Sequence, residues 1–287
     1  MNIESSFRDA MRAAGIPTDA PIFADGELHR VYVEGDKPRT VNGWYRLHAD
    51  GVPAGAFGNW KKSISQTWRA GSTTPLSRNH SAEIEAQRQA RANEQERAYS
   101  VAADRARKLF NAATFDATMH PYCARKGIQP FDARCNDSGD LVIPVFDART
   151  MQPQSLQIIR ADGTKRFLPG GRLSFGCCPV RHSHESFKSA LEQRIAIAEG
   201  FATAASLARH LGRSVATFSA FTAGNLSNVA IAWRQHYPEA EITIFGDCDE
   251  NQVGQIAAEK AALAVNGFVA IPPTPGTDWN DLLRCAK

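Results

Sequence analysis

From Arg194 onward the chain alternates short apolar runs with helix-forming runs, and this rhythm limits the fold more than any other feature. Ile195 to Ala198, Ala216 to Phe221, Ile242 to Phe245 and Phe268 to Ile271 read as short buried strands. Thr203 to Leu211, Leu226 to Tyr237 and Val253 to Asn266 lie between them and read as helices. A βαβα order of this kind predicts an α/β unit with a mainly parallel sheet, since parallel neighbours need a crossover and a helix supplies it.

The upstream chain has a different grain. An amphipathic helix from Ile3 to Ala14 precedes a Gly-, Trp- and β-former-rich stretch, with strands expected at Leu28 to Val33 and Gly43 to His48 and a turn at Ala49-Asp50-Gly51. Residues 1–75 therefore read as a small α+β module. Within it, Gly55 to Lys62 gathers Phe57, Trp60, Lys61 and Lys62, which suits either a base-stacking, phosphate-contacting surface or a hairpin whose aromatics are core. Residues 76–117 read as a helical connector, because Ser81 to Ala113 is Ala, Glu, Gln and Arg with almost no bulky apolar residue before Leu109. Residues 118–190 carry strand-like runs at Leu141 to Phe146 and Ser155 to Ile159 and read as a β-rich, basic subdomain, and 191–287 is the α/β unit.

Composition removes several classes. In 287 residues, 43% hydrophobic and 22% charged is a globular mixture, and a formal net charge of +3 permits nucleic acid without requiring it. Six cysteines (Cys123, Cys135, Cys177, Cys178, Cys248, Cys285) form no CxxC pair, so they read as reduced thiols with no structural zinc. The first residues lack a signal-peptide pattern and no window reaches a membrane span, so a cytoplasmic protein with no membrane partner is expected.

Chemistry concentrates at the ends of the predicted parallel strands, where open α/β sheets bind ligands. Glu199-Gly200 follows the first strand and Asp247-Cys248-Asp249 follows the third. Three carboxylates at neighbouring strand ends repel one another unless a cation neutralises them, and an all-oxygen set without His or Cys selects Mg²⁺ or Mn²⁺. Glu199, Asp247 and Asp249 are accordingly the candidate metal ligands and catalytic residues, and no organic cofactor is expected.

The segments Ile195-Ala196-Ile197-Ala198-Glu199-Gly200 and Ile244-Phe245-Gly246-Asp247-Cys248-Asp249 resemble the Toprim domain of primases, topoisomerases and related nucleases, over about residues 192–283. Thr222 to Leu226 and Asp278-Trp279-Asn280-Asp281-Leu282 resemble the second-strand loop and closing acidic motif of plasmid and mobile-element primases, and the N-terminal module resembles the non-zinc leader of plasmid-type primases of the conjugative-transfer kind. His120 to Ile128, Leu141 to Phe146 and Lys165 to Gly171 resemble the bacterial primase core upstream of Toprim, with Lys126 departing from the usual Arg-Gly. The resemblance covers roughly residues 118–283. It implies an α+β basic subdomain followed by a Rossmann-like Toprim domain.

It also implies a DNA-dependent RNA primase that makes short primers on single-stranded DNA from ribonucleoside triphosphates during replication of a plasmid, phage or other mobile element. In that reading Asp247 and Asp249 hold Mg²⁺, Glu199 is a further ligand or the general base, and Asp278 and Asp281 assist the metal or, for Asp278, cap a final helix. Arg125, Lys126, Lys165, Arg166 and Arg172 contact DNA or nucleotide phosphates. The sequence offers no Cys/His zinc module and no helicase domain, so a separate helicase or polymerase partner is expected. A Toprim metal-dependent nuclease, a topoisomerase fragment and a non-catalytic single-stranded-DNA-binding accessory module are the alternatives.

Overall fold

The computed structural model describes residues 2–285 except 51, 63 and 71–77, with the backbone alone at 78–85, 87 and 285. The expected 75/76 boundary and the Cys285 thiol lie outside the described residues. Two compact units separate at Asn93/Glu94.

In the first unit, helix α1 (Ile3–Ala13) packs on an antiparallel sheet in the order β1 (His29–Val31), β2 (Gly43–His48), β3 (Ala54–Asn59), β4 (Ile64–Arg69). Alternation along β2 sends Tyr45 and Leu47 inward to Phe7 and Met11 of α1, all four fully buried. A Cβ on Gly55 would stand 2.6 Å from the Phe7 ring, so the glycine makes room for it. The stretch Gly55 to Lys62 divides between its two readings. Phe57 is core, whereas Trp60 is half-exposed, with the Arg30 guanidinium 4.6 Å from its ring centroid and Trp44 at 5.9 Å. Lys61 pairs with Asp36 at 3.0 Å and Lys62 donates to the Gly15 carbonyl at 3.3 Å.

Helix α2 (Arg78–Ala112) contains the boundary between the units. Its side chains are all exposed from Arg88 to Ala98, as its composition predicts, whereas beyond Ala98 one stripe turns inward. Ala102 and Ala106, one turn apart, are buried, and Ala106, Ala113 and Phe110 join a cluster with Val142, Leu156 and Leu168. Alanine's short side chain lets a helix approach a sheet closely, a packing that a search for bulky residues overlooks.

The second unit continues with α3 (Pro121–Lys126), β5 (Arg134–Cys135), β6 (Leu141–Asp147), β7 (Pro153–Ile159), β8 (Lys165–Phe167), β9 (Gly176–Val180) and α4 (His184–Leu191). The strand–helix alternation follows as β10 (Arg194–Ala198), α5 (Phe201–Leu211), β11 (Ala216–Ser219), α6 (Leu226–His236), β12 (Glu241–Phe245), α7 (Val253–Ala264), β13 (Phe268–Ala270) and α8 (Trp279–Cys285). The described strands form one mixed nine-stranded sheet, ordered β13-β12-β10-β11-β9-β6-β7-β8 with β5 beside β6. The strands β13, β12, β10 and β11 run parallel, and β9 joins them antiparallel through Thr217 opposite Val180. The segments 118–190 and 191–287, distinct in sequence texture, thus share a single sheet.

Period-two alternation sorts the core into two layers. In β10, Ile195 and Ile197 face a layer that holds Leu226, Val229 and Trp233 of α6 and Ala258, Ala261 and Ala262 of α7. Ala196 and Ala198 face the other layer, against Ala202, Ala204, Ala205 and Ala208 of α5. Small residues on both sides of that contact let α5 lie close to the sheet. Because α5 and α7 each begin just beyond a strand end, the connections that carry Glu199 and the 247–249 segment are short and held at both sides.

Candidate functional site

β10 and β12 are parallel neighbours with Ala198 opposite Phe245, so Glu199 and Asp247 leave the same edge of the sheet from adjacent strands. Between strand and acid, Gly246 is sterically required: a Cβ there would lie 2.6 Å from Ala258 Cβ and 2.7 Å from Ile271 Cδ1. The Asp247-Cys248-Asp249 segment is then clipped to the approach of α8. Cys248 N–H donates to the Thr277 carbonyl at 3.1 Å, and Gly276 N–H donates to the Cys248 carbonyl at 2.6 Å. Beyond it, Gln252 takes a left-handed conformation (φ 59°) and donates to the Asp249 carbonyl at 3.0 Å, turning the chain into α7. Glu199 is fixed on its other flank, where Ser219 Oγ donates to its main-chain carbonyl at 3.1 Å and the Ala223 N–H donates to its carboxylate.

This clustering is electrostatically costly. Burial, followed by the charges of Glu199, Asp278 and Asp249, pushes the Asp247 carboxyl up to about 7, against a partial offset from Lys165. Asp247 Oδ1 is buried and has no hydrogen-bond partner among the described residues. Glu199 is also raised, by burial and by Asp249, with the Ala223 N–H and Lys165 opposing. A carboxylate oxygen left buried and unpaired forfeits solvation that no protein donor returns, so the site has unsatisfied capacity for a cation or a proton.

Of the other acids, Asp278 is both cap and ion-pair partner. Its Oδ1 accepts from the Asp281 N–H at 2.8 Å at the start of α8, and its Oδ2 lies 3.4 Å from Lys126 Nζ, which also stands 3.7 Å from Asp281. Lys165 Nζ lies 5.6 Å from the Tyr122 ring centroid. Burial and Lys126 hold the Lys165 ammonium below its usual range, while Asp278, Glu199 and Asp247 pull it back up. Arg125 donates to the Ala161 carbonyl at 3.1 Å, tying α3 to the β7–β8 turn, and Arg166 is exposed on β8. Arg172 is not brought to the carboxylates: it pairs with Glu96 and covers the Tyr99 ring at 4.5 Å. Lys126 and Lys165 are thus the two cations of the expected five that act on the acidic cluster.

Among the described residues no group of three or more His, Cys, Asp or Glu side chains is close enough as placed to hold a metal ion. The donor chemistry nonetheless fits a hard divalent cation. The set is oxygen only, its charges are crowded, and Asp247 Oδ1 is an orphaned acceptor at its centre. Asp247 and Asp249 would hold such an ion, with Glu199 beside it as a further ligand or a base.

Asn280, to which the sequence pattern assigns no role of its own, is a joint of this region. It is fully buried, and its amide donates to the Lys126 carbonyl at 2.8 Å and to Ser206 Oγ at 2.7 Å, tying α8 to the end of α3 and to α5. An amide between two aspartates in a short helix was the available signal. Trp279 packs edge-on against Phe245 at 5.4 Å and donates to the Ala270 carbonyl at 3.2 Å. Cys123, Cys135, Cys177 and Cys178 are buried free thiols, and no described helix is long and apolar enough to cross a membrane.

The chain is similar to known proteins at the level of sequence. Residues 194–286 match the Toprim domain family. Two Escherichia coli proteins named DNA primase TraC are 34% and 35% identical to the chain, over 94% and 98% of its length but only 26% and 20% of their own. Among solved structures, the zinc-binding and RNA polymerase domains of Aquifex aeolicus primase align with 99% of this chain and 82% of that one, at 12% identity and a TM-score of 0.44. The carboxylates at the ends of β10 and β12 therefore lie in the stretch that matches the Toprim domain family, on a chain whose similarity to the two proteins named DNA primase TraC spans a fifth to a quarter of their length.

Proposed function

We propose that the chain is the catalytic part of a DNA primase, joining ribonucleotides on a single-stranded DNA template by metal-dependent nucleotidyl transfer in a mobile-element setting. The observation that carries this reading is Asp247: half-buried, in the field of three other carboxylates, and with a buried oxygen that no group among the described residues satisfies. The relatives named DNA primase support the reaction class. A divalent cation, when bound, supplies Lewis-acid stabilisation of the phosphoryl oxygens and acidifies the attacking hydroxyl.

The chain's own groups then have distinct tasks. Asp247 and Asp249 hold the cation, and the clip between 248 and 276–277 keeps them in position. Glu199, with a carboxyl raised above its ordinary value, accepts the proton from the 3′-hydroxyl more readily than an unperturbed glutamate would. Lys165 faces the same charges and offsets the negative charge of an incoming triphosphate. Arg125 and Arg166 track the template backbone, Arg through its forked donors. Lys126 belongs to this group while its pairing with Asp278 and Asp281 also orients α8. In the first unit, exposed Trp60 beside Arg30 supports a base-stacking contact.

The test is incorporation of labelled ribonucleotides on mixed-sequence single-stranded DNA with Mg²⁺ or Mn²⁺, wild type beside Asp247→Asn. Short products from the wild type alone are expected. Cut template in their place would transfer the site to the nuclease reading, and bound, unaltered DNA would leave a binding module.

A further inference from the structure

The second unit holds a pocket of about 430 Å³ that shares no lining residue with the carboxylate cluster, a volume within the range of small-molecule sites. Leu191 and Tyr237 of its wall stand just before the starts of β10 and β12, whereas Glu199 and Asp247 follow the ends of those strands. Five residues of extended chain separate the two edges, roughly 16 Å. One wall is aromatic and apolar, built from Phe187, Trp233, Tyr237 and Leu191. Trp233 is 3% exposed and its indole N–H has no acceptor among the described residues, although a buried indole N–H ordinarily finds one.

The same lining carries cations, Lys188 standing on α4 beside Phe187 and one turn before Leu191. Lys188 is exposed with no ion-pair partner among the described residues. Arg181 is held by Asp132 and by His184 Nδ1 at 3.1 Å, which fixes its fork while leaving guanidinium hydrogens available. Arg149 is neutralised by Asp147, and its carbonyl lies 3.0 Å from His236 Nε2, so it shapes the rim. No Asp or Glu lines the pocket among the described residues. An aromatic wall for a planar ring, and a lining that among the described residues is free of acids and sets unpaired Lys188 near the spare guanidinium hydrogens of Arg181, together select a ligand that is flat at one end and anionic at the other.

We propose that this pocket is a nucleoside-phosphate site distinct from the carboxylate cluster, in which the aromatic wall takes the base and Lys188 and Arg181 take the phosphates. The proposal does not depend on the primase reading, since none of its groups belongs to that chemistry. Its test is calorimetric titration of the whole chain with ADP and GDP in EDTA, where metal-dependent binding at the carboxylates is suppressed. Saturable binding at one site per chain is expected, weakened about tenfold or more by Lys188→Glu through loss of a charge-assisted contact. Asp247→Asn should leave it unchanged. Circular dichroism of Lys188→Glu checks that this exposed position leaves the fold intact, and His184→Ala serves as a second, milder pocket variant. The proposal is overturned if neither nucleotide saturates, or if Lys188→Glu binds like wild type. It also fails if binding is lost in Asp247→Asn, or if inorganic pyrophosphate binds as tightly as ADP, which would leave the aromatic wall without a role.

Discussion

Replacing Asp247 with asparagine keeps the volume at the end of β12 and removes one charge from the crowded cluster. The wild-type carboxyl is displaced from 3.8 to about 7, chiefly by burial and then by Glu199, Asp278 and Asp249. At about 1.4 kcal/mol per pH unit of displacement, the ionised side chain costs the metal-free fold on the order of 4 kcal/mol. The sign follows from proton linkage. Below the unfolded value both states are protonated and the charge costs nothing. As pH rises from there, the unfolded state ionises first and is favoured, so wild-type stability falls until the folded group also ionises, near 7. Metal-free Asp247→Asn should therefore match wild type at low pH and exceed it at about pH 8, with a melting transition of the second unit raised by roughly 10 °C. Adding Mg²⁺ should narrow the gap by stabilising the wild type alone. Differential scanning calorimetry in EDTA and in Mg²⁺, across this pH range, measures all of it. A variant no more stable than wild type at the higher pH would refute the crowding argument.

Three other outcomes follow from the same geometry. Asn280→Ala removes two buried donors' bonds and strands the Lys126 carbonyl, so urea unfolding should show a loss of about 2–3 kcal/mol in the second unit. Gly246→Ala places a Cβ 2.6 Å from Ala258 Cβ and should cost about 1–3 kcal/mol by forcing α7 outward, with a larger loss of primer synthesis than of stability because the Asp247 loop moves too. Neutralising Arg125 and Arg166 together should weaken single-stranded DNA binding and reduce the salt slope by about 1.4, from about 0.7 per phosphate contact; a slope unchanged in fluorescence anisotropy would direct the template elsewhere.

The βαβα texture was legible because a strand buried on both faces has no polar positions to disguise it, and Ile195 to Ala198 is such a run. Its outcome, four parallel strands with acids at two adjacent ends, follows from crossover connections that local sequence specifies. The antiparallel half of the sheet was less legible. Gly176 to Val180 is a strand whose partners lie far along the chain on both sides, and no local pattern announces that Val180 will pair with Thr217. The buried stripe of α2, Ala102 and Ala106, was hidden for another reason, since alanines carry no signal of which face they present.

The sequence by itself determined the identity of the charged groups and their positions beside strand ends, because strand and helix periods are local properties of side-chain pattern. Only the tertiary structure decided what those groups do to one another. It brought Asp278, distant in sequence, into the field of Asp247, and it assigned Asn280 rather than a neighbouring acid to join three helices. It also set Arg172 on Glu96 and Tyr99 rather than on the carboxylates. Burial and like-charge proximity depend on distances through space, and these arise only when remote segments pack, so a carboxyl displaced to about 7 cannot be read from the residues that flank it.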